Sequence, residues 1–310
     1  MALHPQTAAF LAAYNASAPM IDYDTVTAAD LRTLFSIPKP EIVSSGLRAV
    51  EDRTVPGPAG PVGVRIYTPA GDGPFPLTLF IHGGGFCIAD VDTTDGVCRF
   101  LAEEAGSLFV SVDYRRAPEA PFPAGLDDCW AVLRWLADYG REIGGDPSRI
   151  AVAGNSSGGN FAAVLAQRAS REGLPLRHQL LLFPVTDARM DHDSYRQYRE
   201  GYFLTAEMMR WFWRQYLRDA DGGLDPRTSP LLASDLSGLP PATIFTAEFD
   251  VLRDEGEDYA RALMRAGAPV RLKRWEGQIH DFILLRGSVD DADTALREAA
   301  AALSESMGNE

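Results

Sequence analysis

The pentapeptide Gly154-Asn155-Ser156-Ser157-Gly158 constrains the fold of this chain more than any other segment. It directly follows a short apolar run, residues 150–153, and precedes a stretch with helical character at 161–169, so the pattern predicts a strand, a sharp turn and a helix. Glycines two positions before and after a serine permit such a turn without a Cβ clash and lift the hydroxyl above the sheet edge. Only Ser156 has glycine at both positions, which makes it the candidate nucleophile.

A second motif, His82-Gly83-Gly84-Gly85, follows another apolar run, residues 76–81. Consecutive glycines after a strand let the backbone direct several N–H groups toward one point, and such a group of donors stabilises a developing oxyanion. The alternative is an ordinary flexible glycine loop. Because a glycine motif of this kind is expected after an earlier strand than the one that carries the serine, the second motif supports the first.

Composition and charge exclude several classes of function. The chain of 310 residues has a formal net charge of −14, which argues against nucleic acid and anionic membrane surfaces and predicts a neutral or cationic substrate. The five histidines show no metal-ligand spacing, so we expect no metal, and chemistry by a serine nucleophile requires no cofactor. No apolar run approaches the ~20 residues needed to span a bilayer, and the N-terminus lacks the features of a signal peptide. Three cysteines that cannot all pair favour a reducing compartment, so we expect a cytoplasmic protein.

Strand and helix patterns alternate along most of the chain. The predicted strands are 77–81, 108–113, 149–153, 179–183, 242–247 and 269–275, and the predicted helices are 93–105, 124–139, 157–171, 252–266 and 291–305. This alternation predicts an α/β fold with a mostly parallel sheet covered by helices on both faces. Val62, Val64 and Ile66 alternate with exposed positions, which predicts a half-buried edge strand after a hairpin turn at 56–61.

Two segments depart from this alternation. Residues 1–46 have apolar side chains at helix-face spacings that end at Pro38 and Pro40, which predicts a separate helical appendage. Residues 185–240 show no strand pattern, but an aromatic helical stretch lies at 208–216. A long insertion of this kind is often a lid over a binding site, although any one of its rings can equally belong to the core of the insertion.

A serine nucleophile needs a base, and the base needs a group that orients it. Where the nucleophile lies on a strand–turn–helix motif of this kind, the residues follow the order serine, acid, histidine along the chain, each on a loop after a strand. Asp250 follows the strand predicted at 242–247, and His280 follows the one predicted at 269–275. These two residues are therefore the candidate acid and base.

Other residues compete for both roles. Glu248 and Asp254 are alternatives to Asp250 as the acid; the other histidines are His4, His82, His178 and His192. Without the topology, a lone histidine is more often structural than catalytic. Asp281 is next to His280, but adjacent side chains point apart, so we expect Asp281 to be solvated.

Several segments together resemble the hormone-sensitive-lipase-like carboxylesterases, which are bacterial family IV of the α/β-hydrolase fold. The segments that carry the resemblance are His82 to Phe86, Asp113 to Glu119 with 121–124, Gly154 to Asn160, Asp250 to Gly256, and His280 to Phe282. They span roughly residues 75 to 285, and their combination is specific. The chain departs from the usual family pattern at Asn155 and Ser157, where the family has Asp and Ala, at Val251 in place of Pro, and at Asp281 in place of Gly.

The resemblance implies an α/β-hydrolase fold and assigns roles to individual residues. It implies a triad of Ser156 as nucleophile, His280 as base and Asp250 as the partner of the base, and an oxyanion hole made by the backbone N–H groups of Gly84, Gly85 and Ser157. It also implies a cap formed by residues 1–46 and 185–220 over a catalytic domain formed by 47–184 and 221–310.

The function expected from these residues is serine carboxylesterase activity. The substrate would be a small-molecule ester with a short to medium acyl chain, about C2 to C8, because bulky rings of the insertion shorten the acyl pocket. Phe86, Phe203 and Trp211 are the expected substrate-binding side chains. The alternatives are a non-catalytic ligand receptor on the same fold and an amide-cleaving hydrolase. The sequence leaves a homodimer open.

Overall fold

The computed structural model describes residues 2–35, 46–217 and 221–308. One eight-stranded sheet has the spatial order β1-β2-β4-β3-β5-β6-β7-β8. The strands are β1 (Leu47–Gly57), β2 (Gly60–Pro69), β3 (Phe75–Ile81), β4 (Leu108–Asp113), β5 (Gly145–Asn155), β6 (His178–Leu182), β7 (Ala242–Phe249) and β8 (Val270–Ile279). The strands from β4 to β8 in this order pair in parallel, while β2 pairs antiparallel with both β1 and β4. The predicted α/β fold with a mostly parallel sheet is confirmed.

Helices cover both faces of the sheet, and others lie beside the carboxyl ends of its strands. They are α1 (Pro5–Ser17), α2 (Ala28–Leu34), α3 (Asp95–Ala105), α4 (Ala124–Tyr139), α5 (Ser157–Glu172), α6 (Asp193–Gln197), α7 (Ala206–Tyr216), α8 (Arg253–Arg265) and α9 (Asp290–Met307). None of the helices among the described residues combines the length and the apolar character that crossing a membrane requires.

Two apolar cores lie on opposite faces of the sheet, because successive side chains of a strand point to opposite faces. In β3, Leu79 belongs to one core and Phe80 to the other. The first core also contains apolar side chains of α4, α5 and α8, and the second those of α3 and α9. All seven residues of β3 are buried, as expected for a central strand of a sheet that is covered on both sides.

The strand pattern at 62–66 belongs to β2. The prediction that this strand lies at the edge of the sheet is wrong, because β2 lies between β1 and β4. The hairpin predicted at 56–61 does form, since Gly57 pairs with Gly60. However, its first arm is the long strand β1, which covers the outer side of β2 and is itself the edge. Most of β1 is partly or fully exposed, so its sequence lacks the apolar alternation that marks a strand.

The N-terminal segment and the segment after β6 contact each other beside the carboxyl ends of the strands. The ring of Phe203 lies 5.2 Å from that of Tyr14 and 6.1 Å from that of Phe10. Arg214 in α7 donates a hydrogen bond to the carbonyl oxygen of Tyr23 at 3.0 Å. Residues 36–45 and 218–220, which belong to the predicted cap segments, lie outside the described residues, as do Pro38 and Pro40.

The turn between β5 and α5 packs directly against the end of β3. A Cβ atom at Gly158 would overlap the carbonyl oxygen of Ile81, and a Cβ atom at Gly154 would overlap the backbone of Gly158. Any larger residue at either position would push α5 away from β3. The two glycines of the sequence motif are therefore required for close packing of the backbone.

We expect Gly158→Ala to lower the free energy of unfolding by about 2 kcal/mol or more, because the overlap with β3 can be relieved only by moving backbone. Gly96→Ala is the matched control, since a Cβ at Gly96 in α3 meets no atom within 4 Å. Urea denaturation of both variants measures the difference. Equal stability of the two variants would contradict this account of the turn.

Candidate active site

Ser156 lies at the tip of the turn between β5 and α5 in a conformation that non-glycine residues rarely adopt. Its φ is 54° and its ψ is −122°, and such strain persists only where surrounding contacts enforce it. Here the Ser156 N–H donates to the carbonyl oxygen of Leu182 at 2.8 Å, and the Ser156 carbonyl accepts from the N–H groups of Asn160 and Val185. The backbone of β6 and α5 thus fixes the position from which the hydroxyl emerges.

The side chains of Ser156, His280 and Asp250 form one hydrogen-bonded relay. Nδ1 of His280 donates to Oδ2 of Asp250 at 2.7 Å, because an ionised carboxylate only accepts. With that proton on Nδ1, the Nε2 of neutral His280 accepts from the Ser156 hydroxyl at 2.9 Å. Asp250 also accepts the N–H of Leu252 at 2.9 Å, which fixes the carboxylate. All three residues are buried.

The electrostatic surroundings of His280 favour its protonated form. Burial lowers its pKa, but the carboxylates of Asp250 and Asp281 together outweigh burial and raise the pKa to about 9. The effect of a neighbouring charge is large here because little solvent screens it.

The competing acids and histidines are engaged elsewhere. Glu248 accepts the N–H of Gly277 at 2.8 Å, and Asp254 pairs with Arg253 at 2.7 Å. The remaining histidines make other contacts: His82 stacks on Tyr114, His178 bonds to Thr243 and Ser306, His192 lies near Asp191 and Asp258, and the His4 N–H bonds to the Gly277 carbonyl. Among the described residues, His280 is the histidine that hydrogen-bonds to Ser156, and Asp250 is the acid that hydrogen-bonds to His280.

The glycine motif after β3 folds back over Ser156. Gly84 and Gly85 have φ of 97° and 57°, and a Cβ at Gly84 would overlap the carbonyl oxygen of Ile88. The turn is held from the other side, since the N–H of Phe86 donates to Oγ of Ser157 at 3.1 Å. Glycine is therefore needed at these positions for both conformation and space.

Among the backbone N–H groups near Ser156, those of Gly84, Gly85 and Ser157 have no protein acceptor within the described ranges. Ser157 is the first residue of α5, where a helix has no internal acceptor for its N–H groups and carries a partial positive charge. Unpaired donors at this place are suited to an anionic oxygen.

A cavity of about 310 Å³ opens above these groups. Besides Ser156, His280 and the glycine motif, most of the residues around it are apolar and include Phe10, Tyr14, Phe35, Phe203, Leu204, Met208, Phe212, Leu284 and Leu285. Its walls thus come from α1, the end of α2, the segment before α7, α7 itself, and the segments that follow β3 and β8.

Of the three side chains predicted to bind substrate, only Phe203 lines the cavity. Phe86 is turned away from it and stacks on Tyr216 with 4.0 Å between ring centroids. Trp211 is buried in the first of the two apolar cores, and its neighbour Phe212 lines the cavity instead. The helix places Phe212 against Gly85, where a Cβ atom would overlap the Phe212 ring.

The sequence-based expectation that Asp281 is solvated is wrong. Its side chain is only 8% exposed, and its Oδ2 accepts from Nδ2 of Asn155 at 2.8 Å and lies 3.6 Å from Nε2 of His280. The cause is the backbone of Asp281, which is left-handed with φ 53° and ψ 28° and turns the side chain back toward Asn155. The preference of Asp and Asn for this conformation is the one sequence signal that could have indicated it.

One group of side chains in the described part of the chain has metal-ligand spacing, namely Asp187, Asp191 and His192. The Asp187 carboxylate already accepts from Nε of Arg189 at 2.9 Å, so its charge is already paired with a guanidinium group. The three cysteines are free and buried.

Comparisons with known proteins agree with this geometry. The sequence profile of the α/β-hydrolase fold family matches residues 78–284. The carboxylic ester hydrolase LipN of Mycobacterium tuberculosis is 45% identical over 243 residues, which cover 76% of this chain and 65% of LipN. An ethyl acetate hydrolase of Pseudomonas putida is 39% identical over 249 residues, or 79% of this chain and 78% of that protein. The crystal structure of a thermostable esterase from Pseudomonas putida is 40% identical and superimposes with a TM-score of 0.94 over 99% of this chain and 98% of the other.

The raised pKa of His280 predicts the pH dependence of Ser156 reactivity. Only neutral His280 can accept the serine proton, so reactivity is lost as the pH falls through the pKa of His280. Because this pKa is raised to about 9, the loss begins at alkaline pH. We expect the rate of Ser156 phosphonylation by a fluorophosphonate reagent to rise with pH and to be half-maximal near pH 9. A half-maximal rate near the ordinary imidazole pKa of about 6.5 would show that the two carboxylates have no such effect. A Ser156→Ala variant supplies the background rate.

Proposed function

This chain belongs to the α/β-hydrolase fold family, in its hormone-sensitive-lipase-like branch of carboxylic ester hydrolases, and we propose that Ser156, His280 and Asp250 carry out its serine esterase chemistry. The observation that carries this assignment is the buried relay of 2.9 Å and 2.7 Å between the three side chains at the base of an apolar cavity. Nucleophile, base and orienting acid in hydrogen-bond contact are the arrangement that acyl transfer requires.

The reaction proceeds in two half-reactions. Ser156 Oγ attacks the ester carbonyl carbon while Nε2 of His280 takes the hydroxyl proton, and Asp250 stabilises the imidazolium that forms. Collapse of the tetrahedral intermediate breaks the bond to the alcohol, which leaves with the proton from Nε2. Water then attacks the acyl-enzyme with His280 again as the base, and the carboxylic acid is released.

The oxyanion of each tetrahedral intermediate is stabilised by the N–H groups of Gly84, Gly85 and Ser157. What supports this role is that none of the three has an acceptor among the described residues and that Ser157 lies at the N-terminus of α5. Fixed donors in a site that excludes water require no reorganisation as the charge develops.

Short to medium acyl chains, about C2 to C8, are the proposed substrates. In support, the cavity of about 310 Å³ is at the lower end of the ~300–1,000 Å³ range of ligand sites, and the rings of Phe203 and Phe212 close its walls. The Pseudomonas relative is named for hydrolysis of an acetate ester. The N-terminal segment 1–46 and the insertion 185–220 would act as a cap over the catalytic domain at 47–184 and 221–310, since the described parts of both segments line the cavity.

Cellular location and assembly remain predictions. The three free, buried cysteines are the pattern of a reducing compartment, which favours the cytoplasm. Sedimentation of the purified protein at several concentrations would test the homodimer.

We expect Ser156→Ala and His280→Ala each to lower kcat by at least about 10³-fold, because members of a triad act as a unit. Asp250→Asn would also cost heavily, since an amide in that place favours the wrong imidazole tautomer. Steady-state kinetics on a short chromogenic ester measures the loss, and thermal unfolding verifies that each variant is folded. Near-normal activity of Ser156→Ala would overturn the assignment of the nucleophile.

Phe203→Ala is expected to move the acyl-chain optimum toward longer esters, because it removes a ring that closes the cavity. Each additional methylene that fits is worth roughly 0.8 kcal/mol of burial, so kcat/KM would rise with chain length until the chain meets the wall. Trp211→Ala is the matched control: its ring is buried outside the cavity, so the loss of it would cost about 3–5 kcal/mol of stability and leave the optimum in place. Profiles of kcat/KM over C2 to C16 esters decide the matter, and an optimum at C12 or longer in the unaltered protein would refute the short-chain proposal.

A further inference from the structure

Asp281 has a buried carboxylate that neither the proposed triad nor the oxyanion hole uses. It lines the cavity, and its Oδ1 has no hydrogen-bond partner among the described groups. A buried carboxylate is costly unless its interactions compensate for lost hydration, and the left-handed backbone at φ 53° adds strain. Residues held in such conformations at a site point to a functional constraint.

Asn155 joins Asp281 to the glycine motif. Its Oδ1 accepts the N–H of Gly83 at 3.0 Å, and its Nδ2 donates to Oδ2 of Asp281 at 2.8 Å. The orientation of the amide is determined by its neighbours, since the Gly83 N–H only donates and an ionised Asp281 only accepts. An aspartate at position 155 would place its carboxylate 2.8 Å from the carboxylate of Asp281. The presence of Asp281 therefore explains why position 155 carries an amide.

Asp281 also acts on the base. Its Oδ2 is 3.6 Å from Nε2 of His280, on the side of the ring opposite the 2.7 Å contact between Nδ1 and Asp250. Among the described residues, these two carboxylates are the ionisable groups that face the imidazole; its other neighbours are the Ser156 hydroxyl and the ring of Phe183.

We propose that Asn155 and Asp281 are a positioning pair that connects the base to the oxyanion hole. Asp281 orients the Asn155 amide, the amide holds Gly83 and with it the turn that carries Gly84 and Gly85, and the Asp281 carboxylate stabilises protonated His280. The proposal rests on the esterase mechanism above and adds two residues to it that touch no reacting atom of the substrate.

A double-mutant cycle tests the pairing. Asn155→Asp alone opposes two carboxylates and is expected to lower kcat/KM on a short chromogenic ester about 100-fold. Asp281→Gly alone removes the partner of Asn155 without new strain, because glycine accepts the left-handed backbone of this position, and is expected to cost about tenfold. In the double variant an aspartate at 155 can still accept the Gly83 N–H and meets no opposing charge, so we expect activity within about threefold of Asp281→Gly.

The comparison between backgrounds decides the result. If Asn155→Asp costs as much in the Asp281→Gly background as it does in the unaltered protein, the two residues do not act as a pair and the proposal fails. Thermal unfolding of all four proteins shows that each is folded under the assay conditions. A failure of the mechanism itself would be seen separately, as activity that survives Ser156→Ala.

The pH profile of Asp281→Asn distinguishes positioning of the base from a structural role. Removing the negative charge lowers the pKa of His280, so the acid limb of kcat/KM should move to lower pH by about one unit. A purely structural role would lower the rate at every pH and leave the limb in place, and that result would overturn the proposed effect on His280. Asp138→Asn is the control, because it removes the same charge from an exposed side chain in the last turn of α4 and should leave the limb unchanged.

Discussion

The contact of the β5–α5 turn with the end of β3 is the constraint on which the site depends. The backbones approach so closely that a Cβ atom at Gly158 would overlap the carbonyl of Ile81. This approach places Ser156 beside the glycine motif that follows β3, so the Ser156 hydroxyl and the N–H groups that have no acceptor among the described residues share one small volume. Because the strands run parallel, the loops after β7 and β8 reach the same sheet edge with Asp250 and His280.

The imidazole of His280 lies between two carboxylates. Asp250 contacts Nδ1 and orients the ring, and Asp281 lies near Nε2, where protons are exchanged. Both carboxylates favour the imidazolium that would form during the proposed attack by Ser156, but they also favour it in the resting protein. The two carboxylates therefore make His280 a stronger base, but they lower the fraction of protein molecules in which His280 is neutral near pH 7.

Most of the shape of the cavity comes from outside the sheet. The rings of Phe10 and Tyr14 from α1 meet Phe203 of the insertion, and Phe212 of α7 lies on Gly85. The reactive groups are thus held by the rigid sheet, while much of the apolar surface of the cavity is built from two segments distant in sequence. Changes in these segments can alter the substrate range without moving the relay.

The sequence by itself determined the α/β alternation, the turn at Ser156 and the positions of Asp250 and His280, because each follows from a local pattern of apolar residues, glycines and strand ends. Only the tertiary structure decided that Asp281 returns to Asn155, 126 positions away, since no local pattern encodes a contact of that range. It also decided that Phe212 and not Trp211 faces the cavity. Neighbours on a helix point about 100° apart, and which of two apolar rings faces a cavity depends on what packs against the helix.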